Sequence, residues 1–474
     1  MPVSTKFRKV NYNPSGDSFI SSSKFISSQY SKNLMVVPTP NALSEPGYLA
    51  SFPGLKLWSA GLTLEPDRGI HQYLFQGKGW KVSGGKLYSF TSAGVQTEVG
   101  IIPGTELCDI RANATTLLIC NGNGLYSCDG SSVSTLSTGF TAVSLDYINN
   151  QFVVSDSNNV IRISDVGSTN FTAENTFLAE SQQDAMVGVR IFNQFLLNFG
   201  ADTIEPWENV GVGNPPFARL NGAIIEDTGL ANRSATANTR SSIYFLGANK
   251  IPYRLINFQS DNLSKDNPGI SELFGSYKAD NAFLSSVNVY GQDIVLYHFP
   301  SNKKVWCYSE TTGLWFEVNH DVNEKLWLGK TSAHLFDKTL VGDRLNGNIY
   351  ELDYDTYKNN DVTMVRERVF RPLSGELLSS PRDYFQMKMV QFCLEMGVGV
   401  NDDNPQMMVS YSTDGGNTYS NERFLYVGEA GEYMKYIEDY SNKKFTDLTI
   451  KVRYTENTRF ALGAASIYVR QSGK

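Results

Sequence analysis

Residues 116–130, TLLICNGNGLYSCDG, hold an apolar run, a turn of alternating Asn and Gly, and a second short run ending in an aromatic and a Cys. Strand formers flanking residues that tolerate positive φ mark a β-hairpin. The same pattern recurs along the chain. It stands at 73–90 (YLFQGKGWKVSGGKLYSF), 151–165 (QFVVSDSNNVIRISD), 194–208 (QFLLNFGADTIEPWE), 242–255 (SIYFLGANKIPYRL), 293–308 (DIVLYHFPSNKKVWCY) and 338–353 (KTLVGDRLNGNIYELD). Aligning the second strand of each hairpin puts Tyr88, Tyr126, Ile161, Ile204, Tyr253, Trp306 and Tyr350 in register, at intervals of about 35 to 53 residues, the period of propeller blades. A blade of about four strands cannot bury both of its faces alone, whereas blades packed around an axis bury them all and leave short edges. Residues 46–362 therefore read as a β-propeller of six or seven blades. The competing reading, unrelated hairpins in a β-sandwich, predicts less even spacing. One short helix is expected between blades, within 269–286 (GISELFGSYKADNAFLSS).

Composition agrees with an all-β chain. Among 474 residues there are 40 glycines, 12% aromatics and only 19% charged residues, which suits many short strands and disfavours long solvated helices. The formal charge of -7 gives no basic footprint for gripping phosphates. No apolar stretch approaches the roughly 18 residues of a membrane span, so no membrane insertion is expected. Cys108, Cys120, Cys128, Cys307 and Cys393 are an odd set without a C-x-x-C pair, as in buried thiols of a reducing compartment.

Outside the repeat lie two further regions. Residues 1–45, rich in Ser, Asn and Pro, read as an extended arm that a neighbour holds. Residues 363–474 read as a β-sandwich. Its clearest strand is LTIKVRY, where Leu448, Ile450, Val452 and Tyr454 alternate with polar neighbours. The sandwich also contains SYSTDGGNTYSNERF (410–424), which matches an Asp-box through Ser412, Asp414, Gly416 and Tyr419. Turn chemistry explains all four: Ser and Asp side chains bond nearby backbone N–H groups, Gly permits positive φ, and Tyr419 plugs the turn from below. Sialidase propellers carry such boxes within the propeller and several times over. This copy stands alone beyond the repeat, and the enzymatic analogy fails.

Nothing else assembles catalytic or metal chemistry. His71, His298, His320 and His334 are dispersed without metal-ligand spacing, and neither H-E-x-x-H, G-x-S-x-G nor a P-loop is present. Glycoside hydrolysis needs only two carboxylates flanking a bond. Asp353 with Asp355, which would share a strand face, and Asp402 with Asp403 are the pairs available, although Asp-rich turns are the plainer account. No catalytic residue, cofactor or metal is expected.

Several stretches together resemble one family, the packaged DNA stabilisation proteins or tail accessory factors of short-tailed bacteriophages. They are GYLASFPGLKLW (47–58), GGKLYSF (84–90), AESQQDAMVGVRIFNQFLLNFGADTIEPW (179–207), ISELFGSY with DIVLYHFP (270–300), STDGGNTYSNER (412–423) and the closing IYVR. The resemblance implies a virion tail component made in the host bacterial cytoplasm: a tail hub, or nozzle, forming a homo-hexamer below the portal and its head-to-tail adaptor. It implies that the ring extends the DNA channel, helps retain the packaged genome and anchors tailspikes or tail fibres and the tail needle, with no enzymatic residues. An acidic chain suits passage of genomic DNA without specific binding, because few cationic contacts give little counterion-release affinity. Arg453, Arg459 and Arg470 are the candidate docking residues of the sandwich, since interfaces favour Arg; exposed strand residues are the plainer reading. The alternatives are a propeller glycosidase or depolymerase, marked by Arg, Tyr and carboxylates converging at one propeller mouth, and a sugar-binding propeller acting on host surface polysaccharide.

Overall fold

The computed structural model describes residues 6–20, 28–40, 46–178, 184–211, 213, 215–374, 378, 384–395, 405–428 and 436–472. Among these residues, seven four-stranded antiparallel meanders succeed one another around an axis. Their innermost strands are Asp67–Ile70, Asp109–Ala112, Ala142–Ile148, Met186–Phe192, Thr236–Asn238, Phe283–Val289 and Gly329–Leu335; the meanders are called blades 1 to 7 in that order. Hydrogen bonds pass from each inner strand to the next and close the circle. They run from His71 Nδ1 to Ile110 O (3.0 Å), Arg111 to Asp146 (2.6 Å), Ile191 N to Asp146 (2.8 Å) and Asn238 to Ile191 O (3.1 Å). Ser286 to Asn238 O, Ser332 to Ser286 O and Gln72 to Ser332 O, each 2.8 Å, complete it.

The seven residues aligned in the sequence all fall on the third strand of successive blades, from Tyr88 in Lys86–Phe90 to Tyr350 in Ile349–Asp353. The hairpins legible in the sequence are thus the two middle strands of every blade. Sandwiched between neighbouring blades, these are buried on both faces, as in Leu117–Cys120 and Ile243–Leu246, and so read as continuous apolar runs. Outer strands such as Gln259–Asn262 are mostly solvated and carry little pattern.

Blade 7 is closed by a strand from before the repeat. Gly54–Ser59 pairs antiparallel with Ile349–Asp353, so the start of the propeller supplies the fourth strand of its last blade and clasps the ring. The expected helix is present as Pro268–Ser276, between blades 5 and 6, with Ile270 and Phe274 buried.

The segment before the propeller is extended, but its own chain holds it. Arg8–Tyr12 pairs with Ala461–Ser472, and Leu34–Pro38 pairs with Gly47–Ser51. Ser28–Lys32 lies between Trp315–Val318 of blade 6, to which it is parallel, and Arg366–Val369, to which it is antiparallel. The expectation that a neighbour holds this arm is thereby corrected for the described residues. The physical reason is burial: Leu34, Met35 and Val36 are at most 6% exposed, and apolar side chains inside the fold supply what a Ser- and Asn-rich composition hid.

Two sheets make the sandwich. One has seven strands and contains Tyr384–Leu394 and Ala461–Ser472, paired along nearly their whole length. The other belongs to an 11-stranded sheet that begins in blade 6, crosses Ser28–Lys32 and Arg366–Val369, and ends at Arg423–Tyr426. Their shared core joins Leu34, Val36 and Leu49 to Phe392, Val452 and Ile467. Propeller and sandwich are therefore connected through backbone hydrogen bonds of a continuous sheet as well as by the chain.

Candidate functional site

Propellers place chemistry at the axis, so the inner strands come first. Blades 2 to 5 bring Asp109, Arg111, Asp146, Arg190 and Arg233 together there. Asp146 accepts from Arg111 Nε (2.6 Å) and from the Tyr147 and Ile191 amides (2.9 and 2.8 Å). Asp109 accepts from the Leu145 amide (3.1 Å) and Arg190 Nη2 (3.2 Å), with Arg233 Nη1 at 3.8 Å. Arg190 also donates to Arg233 O (2.5 Å) and Thr236 Oγ1 (2.8 Å). Arg233 in turn donates to the carbonyls of Leu107, Asn121 and Val143.

This is a convergence of Arg and carboxylates at the axis, part of the Arg, Tyr and carboxylate cluster named for the enzymatic alternative, and its groups bond mainly to one another and to backbone. Both oxygens of Asp146 accept N–H groups of the same chain, and Asp109 accepts the Leu145 amide and lies in ion-pair contact with Arg190 and Arg233, whereas a general acid or nucleophile needs an oxygen that reaches substrate. Arg233 spends its guanidinium on carbonyls of blades 2 and 3 and the segment leading into them, while Arg111 and Arg190 divide theirs between carboxylates and carbonyls, including those of their own strand neighbours Ile110 and Val189. The arrangement fastens blades together where their inner strands diverge. Arg68 does the same in blade 1, donating to the carbonyls of Gly84, Ile102, Pro103 and Glu106 at 2.7 to 3.1 Å.

The Asp-box-like turn closes the hairpin between Gln406–Ser412 and Arg423–Tyr426. Ser412 Oγ donates to Asp414 (2.6 Å) and accepts from the Gly416 amide (2.8 Å). Asp414 Oδ1 accepts the amides of Asn417 and Thr418 (3.0 and 2.9 Å), and these bonds hold its carboxyl well below the usual carboxylate range. Gly415 and Gly416 take φ of 72° and 87°, a conformation that excludes most side chains. The Tyr419 ring lies under Gly416 with the Lys451 ammonium 4.1 Å from its centre; burial, then Glu367, raises its hydroxyl to about 12. The carboxylate faces its own backbone.

The three candidate docking arginines are separated. Arg453 pairs with Glu422 (2.5 Å) and Glu367 (3.6 Å) on the face of the 11-stranded sheet. Arg459 pairs with Glu395 at 3.1 Å, both half-exposed. Arg470 bonds Gln386 (2.7 Å) and lies over the Phe7 ring (4.8 Å). Arg459 and Arg470 flank opposite ends of Ala461–Ser472, a span of about 35 Å at strand rise. Of the carboxylate pairs, Asp353 ends its strand and caps the following turn through the Asp355 amide (2.8 Å), so the two do not share a strand face. Asp402 and Asp403 lie outside the described residues. His71 and His298 are buried. His298 is bonded to Ser285 and Arg344, both 2.9 Å, and burial together with Arg344 pushes its proton affinity far down.

The sequence reading missed the buried arginines. Arg366 and Arg368 lie at the junction of propeller and sandwich, both fully buried. Arg366 donates to Ser51 Oγ (3.1 Å) and the carbonyls of Thr458 and Glu456, and stacks on Tyr454 and Tyr357. Asp17 completes this joint: it accepts the Trp315 amide (2.6 Å), the Ser18 amide (2.8 Å) and the Asn267 side chain (2.6 Å), and burial raises its carboxyl to about 6. No local motif marks these residues, because their partners are backbone carbonyls and amides brought in from afar. Among the described residues, no three His, Cys, Asp or Glu side chains are grouped to hold a metal, and no helix is long and apolar enough to cross a membrane.

Comparison with known proteins fits both units. The curated "Tail hub protein gp10" of Salmonella phage P22 is 22% identical over 434 residues, spanning 85% of this chain and 87% of that protein. Solved structures similar in part are the computationally designed Ika8 protein, at 10% identity, TM-score 0.38, 72% of this chain and 98% of that one. Another is BBS1N in complex with ARL6DN, at 14% identity, TM-score 0.39, 65% of this chain and 97% of that one. Family models described as Bacteriophage P22 Gp10, beta-propeller, and Bacteriophage P22 Gp10, beta-sandwich, match residues 15–357 and 373–470. With both matches covering the greater part of its length, the chain belongs to the bacteriophage P22 Gp10 family.

Proposed function

We propose that this chain is a non-enzymatic tail hub protein of a short-tailed bacteriophage. It forms a hexameric ring beneath the portal and adaptor, extends the DNA channel, helps retain the packaged genome and carries tailspikes or fibres and the needle. The observation that carries this reading is the shared propeller-plus-sandwich organisation with a relative named as a tail hub protein over 85% of the chain. Two features of the molecule support it. Axis and junction are built from committed hydrogen bonds and ion pairs, a construction suited to bearing load. Arg68, Arg366 and Arg368 are also withdrawn from solvent, and a chain of net charge -7 gains little affinity for duplex DNA from counterion release.

Native mass spectrometry of the full chain, alone and with the head-to-tail adaptor, tests the assembly. Six-copy rings are expected in one or both samples; monomers alone in both would sink the proposal. A hydrolysis screen on host surface polysaccharide addresses the enzymatic alternative, with no product expected.

A further inference from the structure

The solvent side of the seven-stranded sandwich sheet is unlike the rest of the molecule. Register and burial place Lys9 and Asn11 on that side of Arg8–Tyr12, with Tyr468 and Ser466 opposite them. Beyond these come Gln391 and Cys393 of the adjoining strand, then Glu438. Tyr384, Tyr436 and Tyr440 stand out from this face, 40%, 58% and 57% exposed. Among the described residues Lys9, Lys388, Lys444 and Arg470 lie on this face with Glu438 beside them, on a chain that is acidic overall. Cation–aromatic pairs fix several of these groups: Lys444 over Tyr384 at 4.6 Å, and Arg470 over Phe7 at 4.8 Å.

A groove crosses the sheet at one end. It encloses about 380 Å³, has a floor of Ala464, Ala465 and Ser466, and is walled by Lys9, Asn11, Gln391 and Tyr436 among others. This volume lies at the lower end of small-ligand clefts, roughly 300–1,000 Å³. Gln391 donates to Glu438 (2.9 Å) and Asn11 accepts from Ser466 (3.4 Å), which leaves the Gln391 oxygen and the Asn11 amide hydrogens for a ligand.

We propose that this groove binds an acidic oligosaccharide, one sugar ring lying against Tyr436, its hydroxyls bonded to Asn11 and Gln391 and its carboxylate facing Lys9. A sugar ring has an apolar C–H face and a polar rim, which an amphipathic Tyr beside amide groups complements. Small floor residues let the ring lie flat on the sheet. Lysines, which are depleted at protein interfaces, make up most of the cations of this face, and no Leu, Ile or Val is exposed among its described residues, which favours a sugar over an apolar protein surface. The proposal goes beyond the tail hub reading and does not depend on it.

The full-length protein would be screened on an array of neutral and of uronate- or sialate-bearing oligosaccharides, and the best-retained glycan titrated by calorimetry. Retention of acid-bearing but not neutral glycans is expected. Tyr436→Ala and Lys9→Glu should each weaken binding at least about tenfold with unchanged melting. Phe424→Ala, an exposed aromatic on the other sheet, should leave it intact. Failure to retain any acidic glycan overturns the proposal. So does equal binding by Tyr436→Ala, or binding of poly-glutamate or duplex DNA as tight as that of the glycan, which would make the face a general cationic surface for protein or nucleic acid.

Discussion

Replacing Arg233 by Ala tests whether the axial charges hold the ring together. The side chain is 15% exposed and donates to carbonyls from three places around the axis: Leu107, which leads into blade 2, Asn121 within it, and Val143 in blade 3. A hydrogen bond from a charged donor contributes about 1.5–3 kcal/mol. The contacts to Leu107 and Val143 are the shorter ones, so their loss costs about 3–6 kcal/mol. Relief of the guanidinium's desolvation offsets part of this, leaving a net loss of about 2–4 kcal/mol. Arg233→Lys, which keeps a charge but not the planar fork, should lose about half as much. Urea unfolding gives the global figure, and amide hydrogen exchange of peptides spanning 107–112 and 142–148 localises it. Faster exchange in those two strands, with the sandwich unchanged, is expected. Arg233→Ala within 1 kcal/mol of the parent, or exchange unaltered at both strands, would refute the reasoning and reopen the axis as a ligand or reaction site.

Removing residues 1–40 deletes strands from both sandwich sheets. Burying Leu34 and Val36 in the sandwich core and Met35 against the propeller is worth about 1.5–3 kcal/mol each, so the truncated chain should melt well below the parent; retention of the parent melting curve would restore the reading of an arm that a neighbour holds. Asp17 predicts a pH effect of definite sign. Its folded pKa is raised from 3.8 to about 6, so its contribution to stability is fully present below about pH 3.8 and lost as pH rises through about 6. Measured against Asp17→Asn, the parent should gain up to about 3 kcal/mol between pH 7.5 and pH 4, as an upper bound because Asp17 keeps some solvent contact; a flat difference would contradict it. Asp414→Ala should speed exchange of the Asn417 and Thr418 amides at neutral pH, with no change in the propeller, and unchanged exchange there would show that the carboxylate does not order the turn.

The blades were legible because their middle strands obey a local rule. A strand covered on both faces must be apolar throughout, and its partner must follow within a tight turn, so TLLICNGNGLYSCDG and its counterparts announce themselves. The alternation in LTIKVRY disclosed a half-buried sheet, and Ser412 and Asp414 disclosed their turn, since each bonds within a few residues. The inner strands and the site that they build were not legible. Asp109, Asp146, Arg190 and Arg233 are scattered over more than a hundred positions, and each finds its partners across the axis.

The N-terminal strands were hidden for the same reason. For Arg8–Tyr12 and Ser28–Lys32 the hydrogen-bonding partners stand hundreds of residues away, as with Tyr30 opposite Val369 and Lys9 opposite Tyr468. Which hairpins form, and that they repeat, follows from neighbours along the chain. How the ring is clasped, which arginines lock its axis, and that the first strands join the sandwich follow from contacts between segments far apart in the chain, which no local pattern marks.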